Sequence, residues 1–167
     1  KDSLIDILRL IRSENVGPVT FINLVKQFGS AGAALDAMPS LAASGGKRTP
    51  IACYSAKAAQ AEIDATHKLN GHMLSLADDD YPPLLKLIYD PPPVISLLGT
   101  PHIWKEKSPL AIVGARNASA TGCQFARMLA RDAGNHSFMI TSGLARGIDT
   151  AAHSGALTSG TVAVMAS

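Results

Sequence analysis

The chain has 167 residues, of which 47% are hydrophobic and 17% charged, and 15 Lys and Arg against 13 Asp and Glu leave a formal net charge of +2. That is too apolar and too weakly charged for a disordered chain, and apolar runs such as Leu110-Ala111-Ile112-Val113 fall far short of the roughly 20 residues a membrane-spanning helix needs. No secretory signal is visible, and Cys53 and Cys123 make neither a disulfide framework nor a CxxC metal pair, so the expectation is a cytoplasmic protein with reduced thiols and no membrane partner.

The sequence begins at Lys1 rather than Met, so it reads as lacking its natural start. Charge is uneven along it: residues 1–70 carry net +2, residues 71–100 net −3 and residues 101–167 net +3. The first 70 residues read as a helical domain. Leu4, Leu8 and Ile11, broadened by Ile5 and Ile7, have amphipathic-helix spacing. Pro18 suits a first helical turn, where its missing N–H costs nothing. Phe21, Leu24, Val25 and Phe28 follow at i, i+3, i+4 and i+7, with Gly29 placed to stop that helix. The turn Asn15-Val16-Gly17-Pro18 makes the pair an αα-hairpin. Gly45-Gly46 marks a loop, and Ser55 is placed to cap an Ala-rich helix running to Leu69, stopped by Asn70-Gly71.

Residues 72–100 are punctuated by Tyr81-Pro82-Pro83 and Asp90-Pro91-Pro92-Pro93, which forbid a continuous helix. Leu84–Ile88 has room for a short helix only, and Val94–Leu98 is a strand candidate. From Leu110 strands and helices alternate. The expected elements are a strand over Leu110–Val113, a helix over Thr121–Ala133 stopped near Gly134, and a strand over Phe138–Thr141. A helix over Asp149–Thr158, stopped near Gly160, and a strand over Thr161–Met165 follow. Such alternation with short connections gives parallel strands and right-handed crossovers. The fold class is therefore α/β, a Rossmann-like parallel sheet over 71–167 preceded by a small all-α domain over 1–70. A parallel sheet is covered on both faces, so a chain ending on a strand is expected to be part of a longer protein.

Ligands of open parallel sheets bind beyond the carboxyl ends of the strands. Two loops arrive there, 114–122 and 141–149. Each has a glycine after its strand, Gly114 or Gly143, an arginine two to three residues on, Arg116 or Arg146, and a helix N-terminus. Glycine admits a ligand to the backbone, the helix end carries partial positive charge, and guanidinium forks onto phosphate. If the strands pair, the loops touch and enclose an anion-binding crevice; the competing reading pairs both arginines with nearby carboxylates. No GxGxxG with a strand-end carboxylate and no GxxxxGK[ST] is present, so no nucleotide cofactor is expected. Asp149 and His153, at i and i+4, read either as an acid–base pair or half a metal site, or as a helix-start carboxylate beside a packed histidine. Asp78-Asp79-Asp80 reads as a solvated turn. No nucleophile with a visible base is found, so no catalytic residue and no metal ligand is expected.

Gly114-Ala115-Arg116 with Thr121-Gly122, then Ser142-Gly143-Leu144-Ala145-Arg146-Gly147-Ile148-Asp149 with Ala152-His153 and Gly155-Ala156-Leu157, resemble the DNA processing protein A family (DprA, also called Smf). Tyr81-Pro82 and Asp90-Pro91-Pro92 resemble its entry into an extended Rossmann-like domain. The helices around Val16-Gly17-Pro18 are similar to the sterile-alpha-motif or helix-hairpin-helix-like domain that precedes it. The resemblance implies a non-enzymatic protein that binds single-stranded DNA, protects incoming strands in natural transformation, loads the RecA recombinase and forms a homodimer through the Rossmann-like domain. It places DNA binding on Gly114, Ala115, Arg116, Ser142, Gly143, Arg146 and Gly147. Ala115 departs from the commoner Gly-Ser-Arg and loses a hydroxyl. The dimer and RecA surfaces fall in the part of the family pattern that follows Ser167. With Phe138 expected in the core strand and Phe125 in the core of its helix, few rings remain for stacking, so binding should be phosphate-dominated and salt-sensitive. The alternative is a Rossmann-like nucleotide-processing enzyme of the phosphoribohydrolase type, whose PGGxGTxxE motif this chain lacks.

Overall fold

A computed structural model describes residues 2–44 and 52–166; the Gly45-Gly46 loop lies outside the described residues. The chain forms two compact units, Lys1–Gly99 and Thr100–Ser167. The changeover therefore falls later than the shift in sequence character at residues 70 and 71, because a two-stranded ribbon joins the helices of the first unit.

In that unit α1 (Leu4–Ile11) is capped by Ser3, whose Oγ accepts the Asp6 N–H at 3.1 Å. Pro18 opens α2 (Pro18–Phe28), and Gly29 ends it with φ +84°. α3 (Ala31–Ser44) follows, a helix the apolar spacing did not single out. Ile7 and Leu10 of α1 pack with Val16, Phe21, Ala34, Leu35 and Met38, while Leu8 turns the other way onto Ala59, Ile63 and Met73. One helix thus serves two clusters, and each buried leucine contributes about 2 kcal/mol of transfer free energy. α4 (Ala56–Lys68) is capped by Ser55 as its sequence implies. Asn70, at φ +55°, ends it, but Gly71 belongs to β1 (Gly71–Ser75), which pairs antiparallel with β2 (Val94–Leu98), Gly71 opposite Leu98. A Cβ on Gly71 would stand 2.6 Å from Leu98 Cδ2, so close strand packing requires the glycine that looked like a helix stop.

Between these strands the acidic turn is held by Asp78, whose Oδ2 accepts from Ser75 N and Oγ at 2.7 and 2.8 Å. A single 3-10 turn at Leu85–Leu87 is all the prolines leave of a helix. Tyr81 is buried, and its hydroxyl donates to the Pro92 carbonyl at 2.8 Å. Burial pushes the phenol up to about 12. The unfolded chain loses this proton near pH 10 while the folded chain keeps it, so stability falls as pH rises from about 10 to 12. Tyr81→Phe should flatten that alkaline limb in a series of thermal melts; an unchanged limb would show that Tyr81 does not cause it.

The second unit contains a short α5 (Ile103–Glu106), then β3 (Ser108–Ala111), α6 (Ala120–Asn135), β4 (Phe138–Ser142), α7 (Ile148–Ala156) and β5 (Thr161–Ala163). The strands lie parallel in the order β3-β4-β5, as the alternating pattern implies. β3 begins before Pro109 rather than after it. Within this sheet it is an edge strand, where a residue without an N–H is tolerated, and the ladder still reaches Ile112, whose N–H donates to Thr141 O at 3.0 Å. Gly134 does not stop α6. It lies buried inside the helix, and a Cβ there would clash with the Ser159 side chain in the turn after α7. α7 starts one residue earlier and ends two residues earlier than expected, and β5 is shorter by two residues. Ala130, Ile140, Ala152 and Ala156 form the core.

The two phenylalanines correct the sequence reading. Phe125 is 59% and Phe138 37% exposed. The buried stripe of α6 is Ala126, Ala130 and Gly134, small residues that bring α7 close, and Phe125 falls one position outside it. Phe138 is the first residue of β4, where the strand enters the sheet.

Candidate functional site

Because β3 and β4 are parallel neighbours, the loops that follow them leave the sheet on the same side, and they touch. The Ile148 N–H donates to the Ala115 carbonyl at 3.3 Å. The Ile148 side chain fills the space over Gly114, where a Cβ would lie 2.7 Å from its Cγ1, and its Cδ1 reaches within 3.8 Å of the corresponding point on Gly122. From the other side Gly147, at φ +84°, lets the Ala115 and Arg116 carbonyls approach its Cα; a Cβ there would be 2.7 Å from Arg116 O. Gly114 and Gly147 therefore dock one loop on the other, where the sequence reading assigns glycine to the approach of a ligand.

That seam brings the backbones that carry the arginines together. Arg116 lies against Gly147, the neighbour of Arg146 in the chain. Both arginines are exposed, and among the described residues neither has an ion pair or a side-chain hydrogen bond. The competing reading needed carboxylates nearby. Asp132 pairs with Arg131 at 3.2 Å, and Asp149 is turned inward, its Oδ2 accepting the Gly143 N–H at 3.2 Å. Two unneutralised cations on adjoining loops repel each other, and a bound anion relieves that repulsion.

The backbone donors divide unequally. At the start of α6, Ser119 Oγ takes the Gly122 N–H at 3.1 Å, and among the described residues the Ala120 and Thr121 N–H groups have no acceptor. The start of α7 is used more fully within the fold: Ile148 N–H donates to Ala115 O, Thr150 N–H to Ala145 O at 3.0 Å, and Thr150 Oγ1 to the same carbonyl at 2.7 Å, while among the described residues the Asp149 N–H has no acceptor. Ser142 is buried, and its hydroxyl donates to Ile112 O at 2.6 Å. Of the residues the sequence singled out, Arg116 and Arg146 face solvent, Gly114, Ala115 and Gly147 form the seam, and the Ser142 hydroxyl and Gly143 N–H are committed inward. The sequence reading expects unpaired N–H groups at the starts of both helices, and at α6 they are those of Ala120 and Thr121, ahead of the Gly122 N–H that Ser119 caps.

Asp149 and His153 do not act as a pair. His153 Nδ1 lies 2.7 Å from Thr161 Oγ1, which itself donates to Ile140 O at 2.8 Å. The hydroxyl proton being spent, Nδ1 is the donor and the buried Nε2 is left bare. Among the described residues no three His, Cys, Asp or Glu side chains converge as metal ligands do, and no helix is long and apolar enough to cross a membrane.

Comparison with known proteins matches residues 72–167 to the family described as DNA recombination-mediator protein A, and residues 1–65 to a DprA-like N-terminal HHH domain. DNA processing protein DprA of Streptococcus pneumoniae (strain ATCC BAA-255 / R6) is 40% identical over 93 residues, 54% of this chain and 32% of that protein. The X-ray structure of DNA processing protein A from Streptococcus pneumoniae superposes with a TM-score of 0.67 at 28% identity, over 99% of this chain and 58% of that one. The structure of the Helicobacter pylori protein, described for its unique single-stranded DNA binding mode, gives a TM-score of 0.50 at 26% identity, over 56% of this chain and 42% of that one. The matches span 23% to 32% of the length of the curated relatives.

Proposed function

This chain belongs to the DNA recombination-mediator protein A (DprA/Smf) family, and from that premise we propose that it binds single-stranded DNA, without catalysis, along the seam between the loops after β3 and β4. The observation that carries this reading is the pair of exposed, unneutralised arginines, Arg116 and Arg146, held on loops that touch at Gly147. Guanidinium groups fork onto phosphate oxygens, and the free N–H groups of Ala120 and Thr121 at the start of α6 add donors of the same preference. Net charge supports it too, since residues 101–167 carry +3. The exposed ring of Phe125, in the second turn of α6, offers one stacking surface that the sequence reading places in the core.

The same proposal extends to the whole protein: a cytoplasmic factor that shields incoming strands in natural transformation, works as a homodimer and delivers the coated strand to RecA recombinase. Family membership and the Helicobacter pylori relative, described as binding single strands, support it. Functionally we divide the chain at residue 70, a helical module before it and the DNA-binding domain over 71–167; the family matches change over between residues 65 and 72.

The test is fluorescence anisotropy with an oligothymidylate across a salt series. Arg116→Ala and Arg146→Ala should each weaken binding by about tenfold at low salt. Each should also flatten the slope of log K against log salt by about 0.7 for every phosphate no longer neutralised. A double variant with wild-type affinity and slope would remove the assignment.

A further inference from the structure

We propose that Asp149 sets which anions this crevice accepts. Its carboxylate takes the Gly143 amide of the second loop from within, so that a phosphodiester strand lying across Arg116 and Arg146 is admitted and a phosphate monoester seated in that loop is refused. The inference rests on the reading of the seam as the strand-binding site.

A glycine directly after a β-strand, followed by a helix N-terminus, is the arrangement that elsewhere grips a phosphate with backbone N–H groups. Here the donor directly after the strand is already taken. The Gly143 N–H donates to Asp149 Oδ2 at 3.2 Å, and Asp149 is only 7% exposed. A Cβ on Gly143 would stand 2.9 Å from that oxygen, so the bare glycine is what lets the carboxylate in. Asp149 is the second residue of α7, where the helix dipole favours negative charge. Among the described residues no cation pairs with it at the carboxyl end of β4.

The consequence is electrostatic selection. A monoester carries close to two charges at neutral pH and, seated in the second loop, would find the Gly143 N–H taken and lie beside a like charge. A phosphodiester carries one, and a strand's phosphates can be met by the outward arginines and the start of α6 without entering the second loop. Asp149 thus determines specificity for a polynucleotide over a mononucleotide.

Asp149→Asn keeps an oxygen acceptor for the Gly143 N–H and removes the charge. Thymidine monophosphate, competing against a labelled oligothymidylate, should act on the Asn variant at a concentration about tenfold lower than on the wild-type protein. Equal competition, with Arg116→Ala still weakening strand binding, overturns this inference alone. If Arg116→Ala also binds like wild type, the site reading fails and this inference with it. Should the Asn variant not fold, inorganic phosphate titrated into the wild-type protein decides by amide NMR. The Ala120 and Thr121 signals should move and that of Gly143 should not; a saturable shift at Gly143 overturns the proposal.

Discussion

Gly147→Ala is expected to lose about 3–5 kcal/mol of stability and nearly all strand binding together. Two costs combine at this position. The backbone sits at φ +84°, ψ −125°, a region open to glycine and strained for any residue with a Cβ. The added carbon would also stand 2.7 Å from Arg116 O and 2.9 Å from Arg116 C, and closer still to Ala115 O. These are backbone atoms of the neighbouring loop, which cannot rotate away as a side chain can. The loops must part, and with them the two arginines. Gly29→Ala is the control: it has the same φ of +84° and nothing within 4 Å of the added carbon, so it should cost only about 1 kcal/mol and leave binding intact. Chemical denaturation and anisotropy read both quantities. Equal losses at the two positions would mean that strain alone acts at Gly147 and that the loops do not depend on each other.

What made the second unit legible was alternation. Apolar runs of strand length separated by helix-length segments leave few topologies, and the parallel β3-β4-β5 order is the one they imply. Meeting of the two loops then followed from strand pairing. Element ends were less legible, because the residues that mark them have second uses. Pro109 sits inside an edge strand, where its missing N–H is tolerated, while Gly134 inside a helix and Gly71 at the start of a strand each answer to a neighbour distant in sequence. The same holds at the site. Glycine, serine and an N–H group after a strand look identical in sequence whether they face a ligand or a partner in the fold. Here Ile148 covers Gly114, Ser142 bonds Ile112 and Asp149 bonds Gly143. The arginines were readable because a long cation has few places to go in a unit with so few carboxylates. Phe125 was not, since a helix whose buried face is alanine and glycine leaves its largest apolar residue outside.

That small-residue face yields the second large effect. Gly155→Ala should destabilise the protein by about 2–4 kcal/mol even though alanine is the better helix former by about 1 kcal/mol. Gly155 of α7 faces α6, and an added Cβ would lie 3.0 Å from Arg127 C, nearer to Arg127 O, and 3.1 Å from Ala130 Cβ. Helices that approach backbone to side chain in this way sit at the short end of the 8–10 Å range of axial separations, and one methyl group must push them apart. Both helices begin at the arginine loops, so displacement at Gly155 is carried to the seam through Ile148, and strand affinity should fall less than stability but measurably. Ser154→Ala, one residue away on the exposed side, removes only an Oγ donating to Thr150 O and should stay within about 0.5 kcal/mol of wild type. Urea titrations of the pair separate the cases. If Gly155→Ala instead gains the roughly 1 kcal/mol that helix propensity offers, α6 and α7 are not in close contact, and the packing that sets the two loops side by side has another origin.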